Sequence, residues 1–397
     1  MIPLDEARAL VIGRCPLLVP QRLSLDDLLG AVLAEAVVAA EAVPPFANTA
    51  MDGFAVRSAD VAHPPTRLRI VGTVAAGDDP ELKVGSGEAA RIMTGAVIPP
   101  GADGVVMIER CQVDGNHVTV EISVPEGNHV RPAGDDIEAG AEVFGAGTVV
   151  GPGHLGVLAS IGAHEVLARP LPTVGVLSTG DELVDGPGPL APGQIRDSNR
   201  RTLLALLARQ GLPTVDLGLA PDDEEEIEAA LRRGVAQCDA ILTSGGVSMG
   251  DYDYVKAVLD RIGEMSWMQI AIRPAKPFAF GTVDGVPVFG LPGNPVSSMV
   301  SYELLARPGL RAMQVHPDPV PPTVVGVTDE GLVREPDGKT HFMRVEVSAQ
   351  GDGRYHVRSA GGQGSHMLWA MARADALAVV PDGQGIPPGG YVDLLIL

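Results

Sequence analysis

Between residues 172 and 315, short apolar runs alternate with segments whose apolar residues recur at helical spacing. The runs Thr173–Leu177 and Ala240–Thr243 have the length and apolar content of strands buried on both faces. The segments Asn199–Gln210 and Asp222–Val235 each carry leucine or isoleucine along one helical face. Alternating strands and helices need crossover connections, so this pattern predicts a doubly wound, mostly parallel α/β sheet.

The flanking segments have different patterns. A helix is expected over residues 4–14, and Ser24 followed by Asp27 resembles a capping box that opens a second helix to about Leu33. Short β-like runs between glycine and proline turns predict a β-rich region, and a proline-rich linker precedes short strands typical of a small β-barrel or sandwich. The expected domains are 1–45 with 143–171 (helical and linker), 46–142 (β-rich), 172–315 (α/β) and 318–397 (C-terminal β-barrel).

Charge and cysteine content exclude several classes of protein. Twenty-nine basic residues against fifty acidic ones give a net charge of −21, which opposes binding to a nucleic-acid backbone. Three cysteines without C-x-x-C spacing fit neither a disulfide framework nor a structural zinc site, so we expect a reducing cytoplasm. We expect no signal peptide, because Asp5, Glu6 and Arg8 interrupt the N-terminal apolar run, and no membrane span.

Three loops follow predicted strands, where open α/β sheets bind their ligands. They are Ser178–Leu183, Thr243–Asp253 and Gly290–Ser297. In the second loop, small residues leave backbone N–H groups free to surround an anion, and a helix follows. A polar turn, a glycine-rich connection and Asn-Pro helix capping are the respective alternatives without a ligand.

Carboxylates cluster at the same predicted edge. Glu182, Asp222 or Asp223, and Asp251 or Asp253 all follow strands of one sheet. Hard oxygen ligands beside a phosphate cradle suit Mg²⁺, so this set is the candidate metal site. The aspartates near 251 could equally cap the following helix.

Positive charge comes from the segment Arg273-Pro274-Ala275-Lys276-Pro277. Its two cations are held between prolines, which restrict the backbone and suit the binding of an oxyanion. A solvated proline-rich turn is the alternative. The glycine pairs elsewhere do not form G-x-G-x-x-G after a strand, so the sequence does not favour a nicotinamide site.

Eight motifs, in order from Pro44 to Ser298, resemble those of the MoeA/gephyrin family of molybdopterin molybdenumtransferases. They are PPFANTAMDGFA, RIMTGAVIPPGADGVV, RPAGDDI, GVLSTGDEL, IRDSN, TSGGVSMGDYDY, RPAKPFAFG and GLPGNPVSS, with a looser match at GQGSHML. The resemblance covers nearly the whole chain.

The resemblance implies an enzyme that inserts molybdenum from molybdate into adenylylated molybdopterin and releases AMP, with Mg²⁺ as the divalent cation. It also implies a MogA-like α/β domain, a homodimer, and contact with the adenylylating enzyme. In such a dimer, the β-rich domain of one subunit would close over the α/β domain of the other.

The residue pattern and the resemblance together give the expected site. The expected catalytic residues are Asp52, Thr94, Glu182 and Lys276. The expected metal ligands are Glu182, Asp222, Asp251 and Asp253. The expected substrate-binding residues are Asp136, Ser244, Gly245, Gly246, Ser248, Arg273, Pro277, Pro292, Pro295, Ser297, Arg344 and Ser365.

The chain departs from the family pattern at four positions. The usual K-P-G-K-P has Arg273 in place of the first lysine and Ala275 in place of glycine. Gln269 stands where a lysine is frequent, and Phe54 replaces a tyrosine. Arginine presents a planar fork where lysine presents a point charge, so the oxyanion contact would differ.

Four other functions remain open from the sequence. A molybdopterin adenylyltransferase or a CinA-like nucleotide pyrophosphatase would share the STGDEL and Gly-Gly features, but neither would carry the motif at 48–55 or the C-terminal barrel. A non-catalytic gephyrin-like scaffold and a divergent paralogue with weakened activity are the remaining two. Release of AMP from adenylylated molybdopterin in the presence of molybdate would discriminate among them.

Overall fold

The computed structural model describes residues 1–78, 81–246 and 254–397. In the first 171 residues the elements are α1 Leu4–Arg14, β1 Gln21–Ser24, β2 Val32–Leu33, β3 Val37–Val38, β4 Asn48–Thr49, β5 Gly53–Val56, β6 Thr66–Val74, β7 Glu88–Ile92, β8 Gly104–Met107, β9 Cys111–Asp114, β10 His117–Val120, β11 Val130–Arg131, β12 Glu142–Phe144, α2 Pro152–Ser160 and β13 Glu165–Arg169.

The remaining residues form the α/β region and the C-terminal strands. Their elements are β14 Val174–Thr179, β15 Leu183–Val184, β16 Ile195–Arg196, α3 Asn199–Arg209, β17 Thr214–Ala220, α4 Glu224–Gln237, β18 Ala240–Ser244, α5 Tyr254–Ile262, β19 Glu264–Gln269, β20 Ile272–Arg273, β21 Pro277–Val283, β22 Val286–Leu291, α6 Pro295–Ser301, a π-helix Tyr302–Ala306, α7 Arg307–Met313, β23 Val324–Thr328, β24 Leu332–Val333, β25 Thr340–Ala349, β26 Tyr355–Ser359, α8 Leu368–Ala372, β27 Ala376–Val380, β28 Gly385–Ile386 and β29 Tyr391–Ile396.

The α/β region contains a six-stranded sheet in the order β17-β14-β18-β22-β21-β19. The first four strands are parallel, whereas β21 pairs antiparallel with both β22 and β19. Alternate strand residues face opposite sides: Ala240 and Leu242 join a core with α3 and α6, and Ile241 joins a core with α4 and α5. Helices therefore cover both faces, which confirms the doubly wound prediction, with two antiparallel strands added at one edge.

The larger of these cores draws on both ends of the chain. Ala7 and Val11 of α1 belong to it, and so do Phe342, Leu377 and Leu395 of the C-terminal strands. Helix α1 thus packs on the α/β region, and the C-terminal strands share an apolar core with that region.

A π-helical turn separates α6 from α7. Pro308 lies in the first turn of α7 and has no N–H to donate to the carbonyl of Leu304, four residues earlier. That carbonyl accepts instead from Arg8 Nε of α1, at 3.0 Å. The carbonyl freed by the interruption of the helix thus binds α1, 296 residues earlier in the sequence.

Five C-terminal strands close into a barrel. The pairings run β25-β26-β23-β29-β27 and back to β25, as the sequence predicted for this region. Strand β20 of the α/β region pairs in parallel with β25, with Ile272 opposite Thr340 and Arg273 opposite His341. This pairing fixes the barrel to the segment that carries the two predicted cations.

The expected β-rich region is also present. Its main sheet has the order β8-β5-β7-β6-β10-β9. Strands β6 and β7 are parallel, and the other neighbouring pairs are antiparallel. Phe54, where the family has tyrosine, is fully buried in its apolar core.

The helix predicted from Ser24 to Leu33 is wrong. Only a 3₁₀ turn, Leu25–Asp27, forms there, and Ser24 Oγ lies 2.9 Å from a carboxylate oxygen of Asp27 without capping a backbone N–H. Gly30 has a positive φ of 82°, which ends any helix, and Val32 and Leu33 pair with β13. Tertiary pairing therefore overrides a local pattern that resembled a helix start.

No helix within the described ranges is long and apolar enough to cross a membrane.

Candidate functional site

Four parallel strands of the α/β sheet end at one edge. In the strand register, Thr179 lies beside Ala220, and Ser178, Ser244 and Leu291 lie side by side in three neighbouring strands. The loops that follow these strands therefore start at the same level and form one side of a shared site.

The first of these loops carries Glu182, which is exposed. Gly180 has φ 146°, and a side chain at this position would meet the Glu182 carboxylate at 2.5 Å. Glycine thus lets the carboxylate fold back over the loop. The neighbouring Asp181 accepts from the backbone N–H of Asp222 at 3.0 Å, so the first loop is bound to the loop after β17. Asp223 caps α4 by accepting from two backbone N–H groups.

The loops after β18 and β22 lie close to each other at their glycines. Gly245 has φ 100°, and a Cβ there would lie 2.9 Å from the carbonyl oxygen of Thr179. Glycine is therefore required at this position. A Cβ on Gly293 would lie 3.8 Å from Gly245 Cα, which is an ordinary van der Waals distance, so the packing does not require glycine there.

Asn199, at the start of α3, joins these two loops. Its side-chain amide donates to Ser244 Oγ at 2.8 Å and to the carbonyl oxygen of Gly293 at 2.7 Å. The IRDSN motif pointed to this residue, but the sequence reasoning assigned it no role.

Its neighbour Arg200 is also a residue that the sequence reasoning missed. The guanidinium is buried and binds three carboxylates: Asp197 at 2.9 Å, Asp216 at 2.6 Å, and Asp185. Asp197 also accepts from Ser178 Oγ at 3.1 Å. Because Asp185 belongs to the loop of Glu182, Arg200 holds that loop against α3 and β17. Hydrogen bonds from Arg201 and then Arg200 lower the pKa of Asp185.

The predicted cations flank a short turn between β20 and β21: Arg273 ends β20, and Lys276 directly precedes β21. Ala275 has a positive φ of 72°, the conformation for which the family pattern has glycine, and a residue with a Cβ adopts it at a cost of about 1 kcal/mol. Lys276 is exposed, and its ammonium has no hydrogen bond or ion pair with any described residue. Arg273 lies 3.9 Å from Asp337 of the barrel.

Arg344 of the barrel is completely buried without a carboxylate partner. One guanidinium nitrogen donates to the carbonyl oxygens of Gly362 and Gly364, while Nε and Nη1 have no partner in the described structure. Burial lowers the pKa of this guanidinium to about 10. The carbonyl of Ser365 accepts from the Val296 N–H at 3.1 Å, which brings the barrel loop to the start of α6.

Two expected catalytic residues of the β-rich region contact each other. Asp52 accepts from the backbone N–H of Thr94 at 2.7 Å and from its hydroxyl at 2.8 Å. The first and then the second of these bonds lower the pKa of Asp52. Asp136 is exposed in the same region, with its N–H bound to the carbonyl of Val43.

The structure thus brings the expected residues into two groups. One is the strand-end group of the α/β sheet with the barrel loop; Pro292 and Ser297 are buried there, and Pro277 and Pro295 are partly exposed. The other is the contacting pair Asp52 and Thr94. Within the described residues, no hydrogen bond or ion pair links this pair or Asp136 to the first group. Ser248, Asp251 and Asp253 lie outside the described residues.

The described carboxylates suit a hard divalent cation in part. No group of three or more metal-ligating side chains occurs within residues 1–78, 81–246 and 254–397. Glu182 and the linked pair Asp181 and Asp222 nevertheless come from adjacent loops of one edge. Because Mg²⁺ is commonly held by one or two carboxylates together with substrate phosphates and water, this donor set fits Mg²⁺ bound with a phosphorylated substrate.

Three family models match the chain. Residues 2–162 match the model of the MoeA N-terminal region (domain I and II). Residues 175–312 match that of a probable molybdopterin binding domain, and residues 332–397 match that of the MoeA C-terminal region (domain IV).

Curated relatives match nearly the whole chain. The molybdopterin molybdenumtransferase of Haemophilus influenzae is 38% identical over 97% of this chain and 96% of its own. That of Bacillus subtilis is 31% identical over 100% and 94%. A crystal structure of the molybdopterin biosynthesis MoeA protein from Pyrococcus horikoshii has a TM-score of 0.78 and 30% identity, and covers 100% of this chain and 99% of that one. The chain therefore belongs to the MoeA family.

The contact between Asp52 and Thr94 can be tested by titration. In Thr94→Ala the hydroxyl bond is lost while the backbone bond remains, so the pKa of Asp52 should rise part of the way to its ordinary value. Because the native pKa is lowered, this pair stabilises the fold above the pKa of the unfolded carboxyl and loses that effect as pH falls through the native pKa. Carboxyl ¹³C NMR titration measures the change, and Thr94→Ser is the matched control. Superimposable titrations of wild type and Thr94→Ala would contradict this assignment.

Proposed function

We propose that this chain is a molybdopterin molybdenumtransferase, which inserts molybdenum from molybdate into adenylylated molybdopterin and releases AMP. The observation that carries the proposal is the shared edge of the α/β sheet in a chain of the MoeA family. The loops that carry the carboxylates of Glu182 and Asp222 and the glycines Gly245 and Gly246 start at this edge, and the barrel loop at Ser365 bonds to the start of α6, which follows β22; we assign them to one site. The names of the full-length relatives support the same activity.

A site for molybdate and a pterin phosphate needs local positive charge, because the whole chain carries a net charge of −21 and would repel anions. In the proposed site, Lys276 and Arg273 bind molybdate and the pterin phosphate, and Ser297 and Ser365 complete the pocket. Arg344 is fully buried and supports the Ser365 loop through the carbonyl oxygens of Gly362 and Gly364. The ammonium of Lys276 has no described side-chain partner, so it can engage an oxyanion without breaking an existing ion pair. Charge-assisted contacts of this kind are among the stronger hydrogen bonds in proteins.

Glu182 and Asp222 would hold Mg²⁺, with Asp251 or Asp253 as further candidates outside the described residues. Bound there, Mg²⁺ supplies screening between the phosphoanhydride and the incoming molybdate, and it stabilises the charge that develops on AMP. The protein's own residues bind and orient the two reactants. Binding places the dithiolene and molybdate side by side, which lowers the entropic part of the reaction barrier. The proposed reaction requires no side-chain nucleophile.

We further propose a homodimer that works in the cytoplasm. Asp52, Thr94 and Asp136 make no described contact with the strand-end group of their own chain. In a dimer they would approach that group in the other subunit. Cys15, Cys111 and Cys238 are free thiols, as suits a reducing compartment. Contact with the adenylylating enzyme would let the substrate pass between the two proteins.

The first test measures AMP release from purified protein supplied with adenylylated molybdopterin, molybdate and Mg²⁺. Wild-type protein should release AMP, and Glu182→Gln should release little, because it loses the charge that holds the cation while keeping the shape of the side chain. Glu225→Gln, an exposed glutamate in the first turn of α4, is the matched control. A folded wild-type protein that releases no AMP would instead favour the scaffold or the divergent paralogue. Full activity of Glu182→Gln would refute the assigned role of this residue.

A second prediction concerns Lys276. Because Lys276→Ala removes one charge-assisted contact to the oxyanion, it should raise the molybdate concentration for half-maximal AMP release by about tenfold to a hundredfold. Its melting temperature should stay near that of wild type, since the side chain is exposed. Lys276→Arg should retain more of the response to molybdate. An unchanged titration for Lys276→Ala would mean that molybdate binds elsewhere.

The third prediction concerns the dimer. Sedimentation at micromolar concentration should show a species of twice the 41.1 kDa chain mass. Mixing Asp52→Asn with Glu182→Gln should restore part of the activity, because a mixed dimer would contain one site with both residues intact. A purely monomeric active protein would contradict the proposal.

A further inference from the structure

A second cavity, of about 310 Å³, lies away from the strand-end loops, where the ends of α3 and α7 meet the N-terminal segment. Three of its lining side chains are arginines, Arg209, Arg307 and Arg311, and none of its described lining residues is a carboxylate. In a chain with a net charge of −21, three arginines around one cavity are a local reversal of charge.

One buried carboxylate balances part of this charge. Glu303 is fully buried and accepts from Arg307 at 2.7 Å and from Arg209 at 3.2 Å. Both of its oxygens are thus used by two cations. Arg311 has no such partner: its described contact is to the carbonyl oxygen of Asp318, at 3.3 Å. The cluster therefore keeps more positive than negative charge at the cavity.

The pKa shifts of Arg311 and His316, two of the lining groups, agree with this geometry. Burial, followed by repulsion from Arg307, lowers the pKa of Arg311. Burial and then Arg311 lower the pKa of His316, whose Nδ1 accepts from the Asp318 N–H and so leaves Nε2 to donate. A bound anion would relieve this repulsion between cations.

Unused donors are also present. Gln210 Nε2 and Arg307 Nε are buried and have no hydrogen-bond partner in the described structure. Both residues line the cavity. A buried donor without a partner lowers the stability of the fold. An oxygen atom of a ligand, or a water molecule bound to that ligand, would satisfy these donors.

We propose that this cavity binds an oxyanion of the phosphate type, either free or as the phosphate of a small organic molecule. The arginine forks match the geometry of phosphate oxygens. The apolar side chains of Leu171, Leu212 and Leu310 line the same cavity and can hold an organic group attached to the phosphate. Arg209 and Arg311 also lie in the last turns of their helices, where a cation interacts favourably with the helix dipole. A binding measurement distinguishes an anion site from a purely helix-stabilising role.

The test is calorimetric titration of the full chain at constant ionic strength, with inorganic phosphate and phenyl phosphate as separate probes. Wild-type protein should bind at least one of them, and a preference for phenyl phosphate would identify an organic phosphate as the better ligand. Arg311→Gln should weaken binding about tenfold or more through the loss of one charge-assisted contact. Lys276→Ala keeps this cavity intact and should bind as wild type does. Arg232→Gln, an exposed arginine on α4, is the matched control for charge.

The comparison of variants decides between this cavity and the proposed active site. Loss of binding in Arg311→Gln but not in Lys276→Ala supports the proposal. Binding that persists in Arg311→Gln, binding that is lost in Lys276→Ala, or no binding to wild type overturns it. If Arg311→Gln does not fold, Arg209→Gln replaces it, because the Arg209 side chain is half exposed and Glu303 keeps its ion pair with Arg307. AMP release by Arg311→Gln and by Arg209→Gln in phosphate-free buffer should match that of wild type, which keeps this test independent of the proposed transferase activity.

Discussion

The buried guanidinium of Arg200 is the contact on which the strand-end site most depends. It joins Asp185 in the Glu182 loop, Asp197 before α3 and Asp216 in β17. A buried arginine is tolerated only when its charge is balanced and its N–H groups are bonded, and these three carboxylates meet both needs. Next to it, Asn199 binds the loops after β18 and β22. Two consecutive residues at one helix start therefore set the positions of most loops at this edge.

The barrel contributes to the same site by a different means. Strand β20 extends the barrel from within the α/β region, and the barrel loop at Ser365 bonds to the start of α6. Arg344 binds the carbonyl oxygens of Gly362 and Gly364, while two of its guanidinium nitrogens, Nε and Nη1, have no partner in the described structure. The position of the Lys276 loop thus depends on a region that begins more than forty residues later in the sequence.

The sequence predicted the elements whose pattern repeats and missed contacts that join distant segments. Helices α3 and α4 and strands β14 and β18 followed from apolar spacing, because burial on one face or both leaves a period that can be read locally. The helix expected at Ser24 failed because its capping pattern is shared by turns, and only pairing with β13 decides between them. Arg200 could not be assigned, since its partners lie in three separate segments. The family motifs gave candidate site residues, but not which of them touch.

The main apolar core also constrains how the protein is made. Its members extend from Ala7 in the first helix to Leu395, two residues before the end. During synthesis, the face of the sheet that packs against α3 and α6 cannot be fully covered until the last strand has left the ribosome. The hydrogen bond from Arg8 of α1 to the Leu304 carbonyl cannot form until the π-helical turn, 296 residues downstream, has been made. Contacts of such large sequence separation carry a high loop-closure cost, so the apolar core is expected to form late in folding.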